Sequence, residues 1–217
     1  MEQTVRARAV IFDMDGTLVD SNAVVEAIWT RFAERFGLVT ADVLAFSHGR
    51  QTISTVNRFA PADLDHEALA AELASTEIET PGGIVEISGA AAFVESVPSD
   101  RTALVTSAPL LLAKTRMTEA GVPMPPVVVP AEDVARSKPD PEGYLRAAEL
   151  LGVDPHETVV FEDAPAGIES GRSAGAQVVV VGPYDGTEAE GLPRITDFTS
   201  TRAAVQGDEI VITLGTA

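Results

Sequence analysis

Short apolar runs alternate with longer stretches of helical spacing along most of this chain. Five runs rich in β-branched residues have the composition of fully buried strands, at 9–12, 102–106, 127–129, 158–161 and 178–181. Apolar residues recur with helical spacing between them, at 90–97, 110–120, 141–151 and 166–174. β-Type residues on both sides of Gly207 predict a hairpin near the end, at about 203–214. Strands that alternate with helices predict an α/β protein with a Rossmann-like core, in which helices cover both faces of a parallel sheet.

The region 19–80 interrupts this alternation, because it contains no convincing strand. Amphipathic helical patterns occupy 23–36, 51–59 and 64–79, and the turn cluster Pro81-Gly82-Gly83 follows them as a flexible return. We therefore expect a small helical domain at 19–81, inserted directly after the first strand. The core would be built from 1–18 and 82–217. This insert, which we call the cap, is placed to cover a site at the end of the first strand.

Composition and charge exclude several classes of function. The chain has 217 residues, a formal net charge of −18 and a pI of about 4.4, which argues against binding nucleic acid or an anionic membrane over a broad surface. It has no cysteine, so disulfides, thiolate metal sites and cysteine nucleophiles are excluded. The polar segment 1–8 precedes an apolar run too short for a signal peptide, and no apolar run reaches the roughly 18 residues of a membrane span. We expect a soluble, cytoplasmic monomer.

Polar residues follow the predicted strands. The first strand ends in Asp13-Met14-Asp15-Gly16-Thr17 and the second in Thr106-Ser107. Lys138 lies in the loop Ser137-Lys138-Pro139 before a predicted helix, and the fourth strand ends in Glu162-Asp163. The carboxyl ends of parallel strands meet at one edge of a sheet, where open α/β sheets bind their ligands. We therefore expect these polar clusters to converge on a single site.

These residue types suit phosphoryl transfer, which needs an in-line nucleophile and neutralisation of the phosphoryl oxygens. Asp13 can be the nucleophile that forms an aspartyl-phosphate, and Asp15 can protonate the leaving oxygen and later activate water. Because bare carboxylates repel a phosphate, a divalent cation is required, and Mg²⁺ prefers such oxygen ligands. Thr106 and Ser107, at the start of a helix, can bind the phosphate through hydroxyl and N–H groups, and Lys138 adds a positive charge.

Each cluster has a simpler explanation when it is considered alone. The Asp-Met-Asp-Gly segment can be only a turn after a strand, and Glu162-Asp163 or Thr106-Ser107 can be only helix N-caps. Lys138 alone would be a solvated surface lysine, which is how we interpret Lys114, the other lysine of the chain. The presence of all four clusters at one predicted sheet edge favours catalysis over these simpler explanations.

Four motifs, in this order, resemble those of the haloacid dehalogenase superfamily, whose phosphatases use an aspartate nucleophile. They are DMDGT at 13–17, the Thr106-Ser107 pair in LVTSAP, Lys138 in SKPDP, and FEDAPAGI at 161–168. The resemblance covers essentially the whole chain. It implies a Mg²⁺-dependent phosphatase whose metal ligands are the Asp13 carboxylate, the backbone carbonyl of Asp15, Asp163, and Glu162 either directly or through water.

The helical insert is similar to the caps of the sugar and polyol phosphatases of this superfamily, which close over small substrates. The stretch Ser47-His48-Gly49-Arg50 resembles their substrate specificity loop. The resemblance implies that Arg50 and His48 bind the substrate, a small phosphorylated sugar or polyol, and that Trp29 lines the pocket. The alternatives are a surface arginine, a capping or packing histidine, and a tryptophan packed on a helix face.

Single residues bear on the rival chemistries of the superfamily. Asp15 argues against the haloacid dehalogenases, which lack this second aspartate, and the absence of lysine before Lys114 argues against the phosphonatases. The β-phosphoglucomutases carry a histidine at the position of Val25, so Val25 favours a phosphatase. A sugar-phosphate mutase of that type remains the first alternative. A non-catalytic binding protein with the same fold is the second.

Overall fold

The computed structural model describes residues 3–79 and 82–215. Pro81, which we placed in the flexible return, and Thr80 lie outside the described residues. The strands are β1 (Gln3–Ala7), β2 (Ala9–Phe12), β3 (Val19–Asp20), β4 (Val85–Glu86), β5 (Thr102–Val105), β6 (Val127–Val129), β7 (Thr158–Glu162), β8 (Gln177–Val181), β9 (Arg194–Ile195), β10 (Arg202–Gln206) and β11 (Glu209–Leu214). The α-helices are α1 (Asn22–Phe36), α2 (Thr40–Ser47), α3 (Thr52–Phe59), α4 (His66–Glu79), α5 (Ala90–Ser96), α6 (Leu110–Ala120), α7 (Glu142–Leu151) and α8 (Pro165–Ser173).

A six-stranded parallel sheet forms the centre of the molecule, in the order β6-β5-β2-β7-β8-β9. The five strands predicted for it are confirmed, and β9 adds a sixth that is too short to give a periodic signal. β2 lies between β5 and β7, with Phe12 opposite Leu104 on one side and Phe161 on the other. The chain moves outwards from β2 first to one side and then to the other. Such a reversal opens a crevice at the carboxyl ends of the strands, where α/β sheets bind ligands.

Apolar side chains pack against both faces of this sheet. β2 is fully buried, with Val10 and Phe12 in one cluster and Ile11 in the other. The helices α5 and α6 and the small sheet β1-β11-β10 cover the first face, and α7 and α8 cover the second. The ring of Phe12 stacks on that of Phe161 at 5.6 Å between centroids. Because acidic residues directly follow these two phenylalanines, this packing holds the strand ends that carry the candidate site.

The helical insert α1–α4 follows the first core strand, as predicted, and has an apolar cluster of its own. Trp29 and Phe32 are buried in it, with their rings edge to face at 5.3 Å. The helix α2 is not predicted by the sequence pattern, because its eight residues bury Val43 as their single fully covered apolar side chain and so show no apolar stripe. The pattern also does not predict β3 and β4, whose two-residue strands pair where the insert leaves and rejoins the core.

The predicted C-terminal hairpin is confirmed as β10 and β11, which turn at Gly207 with a φ of 64°. We described the N-terminal segment only as polar, which was incomplete, because β1 pairs antiparallel with β11. Val5 and Ala7 are buried while Thr4 and Arg6 are exposed, which is the alternation of a strand with one covered face. Among the described helices, none combines the length and hydrophobicity that crossing a bilayer requires.

Candidate active site

Asp13 is the first residue after β2, and a tight turn holds it at the sheet edge. Its N–H donates to the carbonyl of Phe161 on β7 at 3.0 Å. Gly16 in this turn has a φ of 81°, and a Cβ there would lie 2.0 Å from a carboxylate oxygen of Asp163. Thr17 Oγ1 donates to the same carboxylate at 3.2 Å. The turn therefore requires glycine at position 16, and it brings Asp13 and Asp163 together.

Lys138 lies between two buried carboxylates. Its Nζ donates to Asp13 Oδ1, and also to Glu162 Oε1 at 2.8 Å. Lys138 is 6% exposed and Asp13 is 5% exposed, so water screens this pair little. Burial alone would lower the pKa of Lys138, but the charges of Asp13 and Glu162 raise it well above its usual value. The lysine therefore stays charged at the bottom of the site.

Glu162 has protein donors for both of its carboxylate oxygens. Oε1 accepts from Lys138 and from the hydroxyl of Tyr144, the latter at 2.9 Å. Oε2 accepts the N–H groups of the next two residues at 2.9 and 3.0 Å. Gly167 on α8 leaves room for this carboxylate, because a Cβ there would lie 1.5 Å from Oε1. Glu162 is therefore held in one orientation, in which it supports Lys138.

Three of the carboxylates predicted as metal ligands form a candidate metal site. Oxygen atoms of Asp13, Glu162 and Asp163 all lie within 4.8 Å of one another. Burial raises the pKa of Asp13 to about 8, with Lys138 opposing the shift and Glu162 adding to it. Burial, and then the charges of Glu162 and Asp13, also raise the pKa of Asp163 well above its usual value. One lysine does not balance three acids, so these residues fit a divalent cation with oxygen ligands.

We expect Mg²⁺ to bind more tightly as the pH rises towards the pKa of Asp13. A raised carboxyl pKa means that the metal-free folded protein holds a proton there, which the ion must displace before it can bind. The apparent affinity, measured by calorimetric titration, should rise from about pH 6, by up to about tenfold per pH unit, and level off above about pH 8. An Asp13→Asn variant should lose the part of this pH dependence that Asp13 causes, while Asp100→Asn, which removes an exposed carboxylate, should keep it. A pH-independent affinity would contradict this prediction.

Thr106 and Ser107 follow β5 at the same sheet edge, but their hydroxyl groups have different contacts. Ser107 lines the cavity described below, and its Oγ donates to the carbonyl of Gly49 in the insert at 2.8 Å. Thr106 is buried, and its Oγ1 accepts the N–H of Ala108 at 3.0 Å. The Thr106 hydroxyl thus stabilises the turn before α6, and the Thr106 N–H donates to the carbonyl of Val129 at 3.1 Å.

A cavity of about 90 Å³ separates the sheet edge from the helical insert. The predicted residues that line it are Asp13, Asp15, Ser107 and Asp163 from the core and Trp29, His48 and Arg50 from the insert. Lys138 and Glu162 are buried next to Asp13. The structure therefore brings these core and cap residues to one place, with the nucleophile candidate facing the insert, whereas Thr106 does not line the cavity.

Two of the cap residues that line the cavity also have packing roles. Trp29 is 6% exposed and packs against Phe32 while it lines the cavity. The guanidinium of Arg50 lies 4.6 Å from the ring centroid of Phe46 and donates to the carbonyl of Lys138 at 3.3 Å. Arg50 is thus a contact between insert and core and not a free surface arginine.

A hydrogen-bond network that was not predicted from the sequence surrounds Asp15. Arg116 Nη1 and Ser21 Oγ donate to the same oxygen, Asp15 Oδ1, at 2.7 and 2.6 Å. The other end of the Arg116 guanidinium pairs with Glu77 of the insert. A signal was present, because Arg116 lies on the buried stripe of α6 with Leu112, Ala113 and Met117. A charged residue at a position where the helical period requires an apolar one indicates a buried partner.

The chain belongs to the haloacid dehalogenase-like hydrolase family, whose model matches residues 7–175 and so includes all four motifs. It is 42% identical over 180 residues to hexitol phosphatase A of Escherichia coli (strain K12), covering 81% of this chain and 83% of that protein. It is 33% identical over 199 residues to 2-deoxyglucose-6-phosphate phosphatase 1 of Saccharomyces cerevisiae, covering 81% and 80%.

A solved structure supports the fold assignment. The chain superposes on the crystal structure of a β-phosphoglucomutase from Clostridium difficile with a TM-score of 0.74 at 21% identity, covering 88% of this chain and 91% of that one. At this identity the similarity establishes the shared architecture of a parallel sheet with a helical insert, and it does not bear on the reaction.

Proposed function

We propose that this chain is a Mg²⁺-dependent phosphatase that hydrolyses a small sugar or polyol phosphate through an aspartyl-phosphate intermediate. The observation that carries the proposal is the environment of Asp13, which Lys138 holds beside a candidate metal site and which faces a cavity shared with Asp15. Membership of the hydrolase family supports the reaction. Similarity to a hexitol phosphatase and to a 2-deoxyglucose-6-phosphate phosphatase supports the class of substrate.

In the first step, Asp13 attacks phosphorus. Lys138 holds one carboxylate oxygen of Asp13, which leaves the other to form the new P–O bond. The bond between phosphorus and the sugar oxygen breaks, and its electron pair stays on that oxygen, which takes a proton from Asp15. The free alcohol leaves, and the phosphoryl group remains on Asp13.

In the second step, a water oxygen attacks the phosphorus of the aspartyl-phosphate while Asp15 takes a proton from that water. The bond between phosphorus and the Asp13 oxygen breaks, and its electron pair returns to the carboxylate. Inorganic phosphate leaves, and Asp15 again carries the proton for the next cycle. Ser107 and the charge of Lys138 hold the phosphoryl oxygens in both steps.

We assign direct metal binding to the carboxylates of Asp13 and Asp163 and to the backbone carbonyl of Asp15. Each carboxylate oxygen of Glu162 already accepts a hydrogen bond from the protein, so we propose that Glu162 would contact the metal through a water molecule. When bound, Mg²⁺ supplies positive charge for the phosphoryl oxygens, which these carboxylates would otherwise repel.

We further propose that residues 19–81 form the substrate-specificity cap of a core made of 1–18 and 82–217. Polar contacts hold the insert against the core: Ser107 to Gly49, Arg50 to Lys138, Gln51 to Ala131 at 3.0 Å and Ser54 to Ser137 at 2.9 Å. In this closed arrangement His48, Arg50 and Trp29 face the part of the cavity where the leaving group would lie. The cap thereby excludes bulk water and selects small substrates.

Val25 favours hydrolysis over the mutase alternative. Its side chain lines the cavity on the cap side, at the position where the mutases that the chain resembles carry a histidine. A valine cannot accept or donate a proton, so it cannot assist return of the phosphoryl group to a second sugar hydroxyl.

The substrate class is tested by measuring phosphate release from a panel of small phosphates with Mg²⁺. The panel holds hexitol phosphates, hexose 6-phosphates, 2-deoxyglucose 6-phosphate, glycerol phosphates and β-glucose 1-phosphate. We expect kcat/KM to be highest for sugar and polyol phosphates, because a cavity of about 90 Å³ suits a small leaving group. Conversion of β-glucose 1-phosphate to the 6-phosphate without release of phosphate would instead establish the mutase.

A further inference from the structure

Arg116 connects the candidate acid/base residue with the cap. It projects from α6 of the core and is 5% exposed. One side of its guanidinium bonds Asp15, on the loop after β2, and the other pairs with Glu77, in the last turn of α4. Both partners are themselves largely covered, with 30% of the Asp15 side chain and 10% of the Glu77 side chain exposed. The cation is therefore satisfied by one core carboxylate and one cap carboxylate together.

We propose that Arg116 is a positioning residue for Asp15, and that Glu77 makes this positioning depend on the closed cap. The proposal rests on the phosphatase function proposed above, because it assigns a role in the step in which Asp15 protonates the leaving oxygen. Arg116 acts through Asp15 and does not itself take part in proton transfer, since an arginine stays protonated at any physiological pH.

The geometry around Asp15 supports this role. Arg116 and Ser21 both donate to Oδ1, so rotation of the carboxylate is restricted from two directions. The second oxygen, Oδ2, is left for the leaving oxygen of the substrate. A carboxylate that turns freely would spend little time in the orientation needed for proton transfer, and a misplacement of about 1 Å can slow a reaction by about 10²-fold.

Glu77 links this orientation to the cap. If the insert moves away from the core, Glu77 moves with α4 and the guanidinium of Arg116 loses one of its two partners. Arg116 then keeps one carboxylate partner, so its guanidinium is no longer fixed from two sides and the Asp15 carboxylate can turn together with it. The acid is therefore fully oriented only when the cap covers the cavity and bulk water is excluded.

The test compares kcat/KM for phosphate esters whose leaving groups range from acidic phenols to alcohols. The ratio kcat/KM reports transfer of the phosphoryl group to Asp13, and an alcohol needs a proton from the acid whereas an acidic phenol does not. We expect Arg116→Met to slow alkyl phosphates by about 10²-fold and the most acidic aryl phosphates by less than about fivefold. KM for alkyl phosphates should stay close to that of the wild type. Lys114→Met removes an exposed cation from the same helix, and it should change kcat/KM for neither the alkyl nor the aryl phosphates.

Charge balance is controlled with a double variant. Arg116→Met alone leaves Glu77 without its cation, so Arg116→Met/Glu77→Gln, which removes both charges, should fold and show the same selective loss. Glu77→Gln alone should give a smaller loss with the same dependence on the leaving group.

Equal losses for aryl and alkyl phosphates would overturn the positioning role and leave Arg116 as a structural residue. A raised KM with unchanged kcat would overturn it in favour of direct substrate binding by Arg116. A wild-type protein that releases no phosphate from any ester would overturn the proposed function itself, and with it the role of Arg116.

Discussion

Asp13→Asn is expected to reduce phosphate release by about 10⁴-fold or more, because an amide cannot form the aspartyl-phosphate. Asparagine has nearly the same shape as aspartate, and its position after β2 is held by the backbone hydrogen bond to Phe161, which the substitution keeps. Burial already raises the pKa of Asp13 to about 8, so the metal-free protein holds this group largely protonated at neutral pH. The unfolding temperature without Mg²⁺ should therefore stay within a few degrees of the wild-type value.

The control for this prediction is Asp100→Asn, which changes the same functional group at an exposed position of the core. Turnover by this variant should equal that of the wild type. Hydroxylamine trapping during turnover should detect an acyl-phosphate on the wild type and on Asp100→Asn but not on Asp13→Asn. Full activity of a purified, folded Asp13→Asn protein would exclude the covalent mechanism.

The strand ends that build the site could be predicted from the sequence because each is encoded locally. Phe12 and Phe161 are the last apolar residues of two fully buried strands. The acidic residues that follow them therefore lie at the edge of the sheet. A parallel sheet then places these emerging residues side by side, whatever the length of chain between them. Asp13 and Asp163 therefore meet although they lie far apart along the chain.

The contacts that depend on the relative placement of two elements could not be predicted in this way. Arg116 and Glu77 lie on helices of the core and the cap, and no spacing rule relates them. Tyr144 reaches Glu162 from α7, where the helical period marks it only as a buried aromatic residue. Elements of two residues, such as β9, are too short to carry any period. The partners of the site residues thus needed the three-dimensional structure, while most site residues themselves did not.

The site is organised around an imbalance of charge. Asp13, Glu162 and Asp163 face one another within 4.8 Å, and Lys138 is the cation that contacts two of them in the described part of the chain. Lys138 therefore has two roles. It stabilises the folded state when no metal is bound, and it attracts the phosphoryl group. Mg²⁺ affects these two roles differently. An added cation can replace the lysine in stabilising the folded state, but it cannot replace the lysine in attracting the phosphoryl group.

Lys138→Met is therefore expected to reduce both stability and activity, and Mg²⁺ should restore only the stability. Methionine keeps much of the side-chain volume of Lys138, which is 6% exposed, but it leaves Glu162 buried without its cation. Breaking a buried ion pair by removing one partner destabilises a protein by about 3–5 kcal/mol. Loss of one positive group from the phosphoryl oxygens should lower kcat by about 10²–10³-fold.

Thermal unfolding and turnover, each measured with and without saturating Mg²⁺, separate these two effects. Because the proposed cation site includes Asp13 and lies beside Glu162, Mg²⁺ should raise the unfolding temperature of Lys138→Met by more than that of the wild type. Turnover should remain low at Mg²⁺ concentrations at which the variant is fully folded. Lys114→Met, which removes the other lysine of the chain at an exposed position, should match the wild type in both measurements. Wild-type turnover by folded Lys138→Met would limit Lys138 to a structural role and leave the phosphoryl oxygens to the metal and the turn at Ser107.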